Sequence, residues 1–96
     1  VKTAQDVRAE WVAALRSGKY RQVHDLDGPK RGSGYCAMQV LAVALGYSAH
    51  HWGHRQVRKT AGLSWLQATR ITWWNDAKKL SFHQIASRIE AWPPTR

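Results

Sequence analysis

The chain has one cysteine in 96 residues, so it can form no internal disulfide, and a disulfide-stapled module is excluded. Acidic residues are scarce, at 6 Asp and Glu against 15 Lys and Arg. After Asp27 only Asp76 and Glu90 remain, too few for paired-carboxylate chemistry. The longest apolar run is Val40–Leu45, far short of the ~20 residues that cross a bilayer. Val1–Arg16 is charged throughout and has no apolar stretch of the kind a secretory signal needs. Aliphatic residues and phenylalanine are few, which at this net charge brings the chain near the composition of disordered proteins. These shortages leave a cytoplasmic, strongly basic chain, with residues 1–96 forming a single domain.

What is present offsets the thin aliphatic content. Six Trp are available, and each can bury roughly 150–250 Å². The net charge is +9, and its placement is uneven. Residues 1–34 carry +3, residues 35–49 carry none, residues 50–79 carry +5 and residues 80–96 carry +1. The same middle segment holds four of the six Trp. A charge run is ordinarily a solvated face, but interleaved aromatics point toward a polyanion.

Periodicity predicts mostly helix. Thr3 with Asp6 forms a capping pattern, and Val7, Trp11 and Leu15 recur at helical spacing until Gly18. Asp27-Gly28-Pro29 and Gly32-Ser33-Gly34 are turn signals, and Tyr20–Leu26 can form a strand paired near Tyr35. Tyr35–Leu45 is apolar on most faces, as a central buried helix would be, and Gly46 follows it. A weaker helix spans 48–61. Ser64 with Gln67 opens another to about Ala77, with Leu66, Thr69, Trp73, Ala77 and Leu80 roughly on one side. Trp73 and Trp74 lie ~100° apart there, so one of them belongs at an edge or on the surface. Ser81 with Gln84 opens the last helix, whose stripe is Phe82, Ile85, Ile89 and Trp92 before Pro93-Pro94. The expected fold class is mainly α: a compact bundle of about five short helices, with one candidate β-hairpin near residues 20–36.

Few residues suit catalysis. His50 and His54 share a helical face at i, i+4, but a zinc site needs three or four ligands, and the one thiol, Cys36, sits in an apolar helix. A lone cysteine in such a helix is an inert core residue more often than a nucleophile. The Gly28–Gly34 loop with Lys30 and Arg31 lacks the phosphate-loop pattern. No enzyme, metal or cofactor is expected.

Segment 54–74 fits a helix-turn-helix. Gly62 sits at the turn, with Val57 and Ala61 before it and Leu63, Ala68 and Ile71 after it at the apolar offsets. Gln67 and Arg70 have base-edge chemistry, and Arg55, Arg58 and Lys59 suit phosphates. Arg58 stands where a small residue usually lets the helices approach. Two ordinary helices joined at a glycine fit the same residues. Exposed Trp beside Arg and Lys suits single strands through stacking, and equally a protein interface. The candidate binding residues are Arg55, Arg58, Lys59, Trp65, Gln67, Arg70, Trp74, Lys78 and Lys79.

Three stretches also carry a resemblance: Trp11 to Gln22 (WVAALRSGKYRQ), Tyr35 to Leu41 (YCAMQVL), and Asn75-Asp76 followed by Ser81 to Glu90 (SFHQIASRIE). Together they resemble a family of small proteins encoded by tailed bacteriophages and prophages, mostly of unknown function. That pattern runs W-x-x-A-L-R-S-G-x-Y-x-Q, Y-C-C-L-G-V-L, L-N-D and S-F-x-x-I-A-x-x-I-E. The chain departs from it at Ala37, at Met38-Gln39 and at Trp74, and segment 47–73 has little counterpart. The resemblance implies a phage origin and an accessory role in the host bacterial cytoplasm, and it transfers no catalytic residues. The expected partner is nucleic acid, DNA ahead of RNA, or a host nucleic-acid-processing complex. The alternative is a protein–protein inhibitor of a host defence or transcription factor, anti-CRISPR-like in action. Neither reading involves a membrane.

Overall fold

A computed structural model describes residues 2–24 and 34–92. The turn residues Asp27-Gly28-Pro29 and Gly32-Ser33, the far end of the Tyr20–Leu26 candidate strand, and Pro93-Pro94 lie outside the described residues. The first helix, α1 (Ala4–Arg16), opens on a reciprocal cap. The Asp6 N–H donates to Thr3 Oγ1 and the Thr3 N–H to Asp6 Oδ2, both at 3.1 Å. Val7, Trp11 and Leu15 are buried, as their spacing predicts.

The central helix α2 (Ala37–Ala44) starts two residues later than its apolar run, because Cys36 is the N-cap. Ala37, Met38, Val40, Leu41 and Ala42 have no exposed surface. The Trp11 indole N–H donates to Ala37 O at 2.9 Å, so the largest core side chain is also hydrogen-bonded. The expected helix over 48–61 is two pieces: a 3-10 turn (Ala49–His51) and α3 (Arg55–Thr60). The break falls at Trp52-Gly53, and His54 starts α3 as its N-cap through Nδ1. Gln56 N–H donates to that nitrogen, so His54 carries its proton on Nε2. His50 and His54 therefore share no helical face. Two capping boxes open α4 (Trp65–Asp76) and α5 (Phe82–Glu90) where the sequence places them.

The buried residues form one cluster, and α1 packs most extensively on α5 and then on α2. Arg16 on α1 ties to α5 through the Glu90 carboxylate and the Ser87 hydroxyl. That hydrogen bond holds the Glu90 pKa below its ordinary value and raises that of Arg16. Both groups are exposed, so the pair contributes little to stability.

No hairpin joins residues 20–36 among the described residues. Gln22 and Tyr35 form one parallel bridge, in which Val23 N–H donates to Tyr35 O and Tyr35 N–H to Arg21 O. A hairpin is antiparallel, so the two segments meet as separate passes of the chain. Gly34 permits the approach: a Cβ there would stand 2.5 Å from Arg21 O.

Polar groups fasten this bridge to the helices. Asn75, near the end of α4, is fully buried. Its Oδ1 accepts from Gln22 Nε2 (2.9 Å) and from the Ala37 N–H at the start of α2 (3.3 Å). Its Nδ2 donates to Val23 O (2.8 Å) and to Asp76 Oδ1 (2.7 Å). The four hydrogen-bonding positions of the amide are all used. His24 Nδ1 donates to the Asn75 backbone carbonyl. Gln22 extends the network, donating to Leu80 O and accepting from the Phe82 N–H at the start of α5. Asn75, although next to last in α4, reaches across the molecule.

Replacing Asn75 by Ala strands several buried donors and acceptors. The expected loss is about 2–4 kcal/mol, read as a lowered urea midpoint at unchanged slope. Gly34→Ala is expected to lower the midpoint as well, by forcing residues 21–23 away from Tyr35.

Candidate nucleic-acid interface

The unit formed by α3, its turn and α4 carries most of the candidate residues. Gly62 takes φ +67°, which suits glycine. Leu63 N–H donates to Arg58 O and Gly62 N–H to Lys59 O, the paired bonds of a Schellman closure. Arg8 completes it from α1. Its Nε donates to Ala61 O and its Nη2 to Gly62 O, both at 2.9 Å. Burial lowers the Arg8 pKa from its ordinary value, and the guanidinium also lies over the Trp92 ring, 5.7 Å from its centre. Val57, Ala61, Leu63, Ala68 and Ile71 are all buried, as both a helix-turn-helix and two ordinary helices joined at a glycine would have them.

The outer surface of α4 differs from the stripe read from its sequence. Leu66 is 79 % exposed and Trp73 49 %, while Trp74 is only 5 % exposed. The register that buries Ala68 and Ile71 continues at the next helical step to Trp74. The stripe through Leu66, Thr69 and Trp73 is therefore the solvent side. Trp74 is a core residue, packed against Trp92 and covered by Arg88, and cannot serve as the stacking surface proposed for it. Trp73 is the exposed member of the pair.

The candidate residues separate accordingly. Trp65 is 61 % exposed, with the Arg58 guanidinium 5.4 Å from its ring centre. Trp73 carries Lys78 Nζ at 5.3 Å. Both distances fall within cation–π range. Arg55, Lys59, Arg70, Lys78 and Lys79 are exposed, and Arg58 is half-buried. At ~100° per residue, Arg70 lies on the far side of the exposed arc from Trp65. Lys79 sits just beyond α4 with φ +55°, where its charge also favours the helix C-terminus. Gln67 is committed: its Oε1 accepts the Ser64 N–H at 2.9 Å. A two-point contact to an adenine edge uses both ends of the amide and would open that cap.

Beside Trp65 lies a groove of about 340 Å³, bounded by α4 and by the Trp52-Gly53 break. Trp52, Trp65 and Trp73 line it with Thr69, Thr72 and Asp76. The threonine hydroxyls donate back to Trp65 O and Ala68 O, which leaves the lining almost wholly apolar. Trp73 and Trp52 were absent from the candidate residues. The conflict between the α4 stripe and the helix-turn-helix register was the signal that could have found Trp73.

A family sequence profile matches residues 3–73, nearly three quarters of the chain. The chain belongs to the family described as domain of unknown function DUF8296. The DUF8296 match takes in α1, α2, α3 and most of α4, with the basic middle segment as far as Trp73, and stops before Asn75. No curated protein and no solved structure matches the chain. No three metal-ligating side chains come together among the described residues, and no helix there is long and apolar enough to cross a membrane.

Adjacent tryptophans give a direct check. Trp74→Ala is expected to cost about 3–5 kcal/mol in chemical denaturation, and Trp73→Ala under ~1 kcal/mol. Equal losses would contradict the register.

Proposed function

We propose that this is a non-enzymatic bacteriophage accessory protein that binds nucleic acid, DNA in preference to RNA, through the α3–α4 face. The observation that carries the reading is the pair of exposed indoles on α4, each stacked with a cation, within a segment of net charge +5. Arg55, Arg58, Lys59 and Lys78 supply charge for phosphates, and Trp65 and Trp73 supply flat apolar surface. Arg70 contributes from the far edge of the same helix. The phage origin and action in the host cytoplasm rest on the resemblance in the three motif stretches.

A second reading draws on Leu66, the most exposed large apolar residue of the face. An aliphatic side chain beside two tryptophans and an arginine also suits a protein partner, such as a host defence or transcription factor. Nuclease treatment separates the two in a pull-down: a partner retained after digestion favours the protein reading.

Anisotropy titrations with a labelled oligonucleotide across a salt series test the main one. Affinity is expected to fall linearly on a log–log salt plot. The Arg55→Ala, Lys59→Ala double variant is expected to flatten the slope by about 1.4–1.8, the share of two phosphate contacts. No binding at low salt would sink the nucleic-acid reading.

A further inference from the structure

The groove differs from its surroundings in one respect that bears on what enters it. Among the described residues, the only charged side chain in the lining is the Asp76 carboxylate. A phosphate is repelled there and meets very little polar surface on the walls. A flat apolar ring meets three indoles, and the volume lies within the ~300–1,000 Å³ of ordinary ligand clefts. Arg58 and Lys78, each stacked on an indole that lines the groove, are placed for a backbone outside it. Apolar within and cationic at the rim is complementary to a nucleotide strand, whose bases are apolar on their faces and whose linkage is anionic.

We infer that the Trp52–Trp65–Trp73 groove holds an unpaired nucleobase, so the ligand of the α3–α4 face is single-stranded nucleic acid; this rests on the nucleic-acid reading above. In a duplex the base faces are stacked on one another and out of reach of the indoles. The commitment of Gln67 points the same way, because its amide already caps α4 and leaves Arg70 as the one remaining base-edge candidate. A second copy of this chain is disfavoured as occupant, because two faces of like charge would repel.

Three probes of equal length separate the cases: a fluorescein-labelled oligothymidylate, an abasic phosphodiester strand, and a duplex. Oligothymidylate is expected to bind about tenfold or more tightly than the abasic strand, through stacking, and more tightly than the duplex. Trp73→Ala, checked for fold by circular dichroism, is expected to weaken oligothymidylate binding several-fold more than abasic binding, removing most of that margin. Trp73→Phe is expected to keep most of it. Equal binding of the abasic strand, or preference for the duplex, overturns the groove assignment and leaves the nucleic-acid reading standing. Equal weakening of both single strands by Trp73→Ala overturns it too. Failure of all three probes to bind at low salt overturns both and leaves the face to a protein partner.

Discussion

The Asn75 side chain makes four hydrogen bonds from a position with no solvent access. Burying an amide without partners costs several kcal/mol, so the site is tolerable only when every partner arrives. Those partners come from separate parts of the chain: residues 22 and 23, the first N–H of α2, and the neighbouring Asp76. Gln22 carries the constraint on to the start of α5. One amide thus requires α2, α4, α5 and the segment before residue 25 to be in place together. The apolar core holds the elements close, and the polar network selects their arrangement. A domain with so few aliphatic residues has particular use for such selection.

Local features were legible in the sequence because local physics sets them. Thr3, Ser64 and Ser81 cap where their spacing says, and the stripe through Phe82, Ile85 and Ile89 is buried. The break at Trp52-Gly53 was hidden because capping and 3-10 geometry do not disturb a weak apolar row. The parallel bridge was hidden because two extended pieces near one another in sequence suggest a hairpin first. The Asn75 network was hidden because nothing in a sequence marks which residues meet across fifty positions. The stretches Trp11 to Gln22, Tyr35 to Leu41 and Ser81 to Glu90 were seen as separate signatures. In the fold, Gln22, Ala37, Asn75 and Phe82 are members of one hydrogen-bonded set.

The candidate site was half legible. Charge and tryptophan content single out the segment as a candidate, and the glycine turn falls where its sequence puts it. Choosing between Trp73 and Trp74 needed the helix register, and the apolar stripe gave the wrong one. The misleading stripe is informative in itself. A helix whose exposed side looks like a core side has apolar surface that its own fold does not cover. Arg58 Nε is buried and has no hydrogen-bond partner among the described residues. Stacking over Trp65 holds that side chain despite a donor left unmet.

The two sides of α4 have different freedom to change. Ala68, Ile71, Trp74 and Asn75 are each fixed by neighbours from other elements, so a substitution there disturbs the whole domain. Trp65, Leu66, Arg70 and Trp73 touch little of the core and are held by a helix whose cap and inner side are set independently. A lineage carrying this scaffold can therefore exchange its outward residues while the architecture persists. That separation lets the outward residues vary on an unchanging frame.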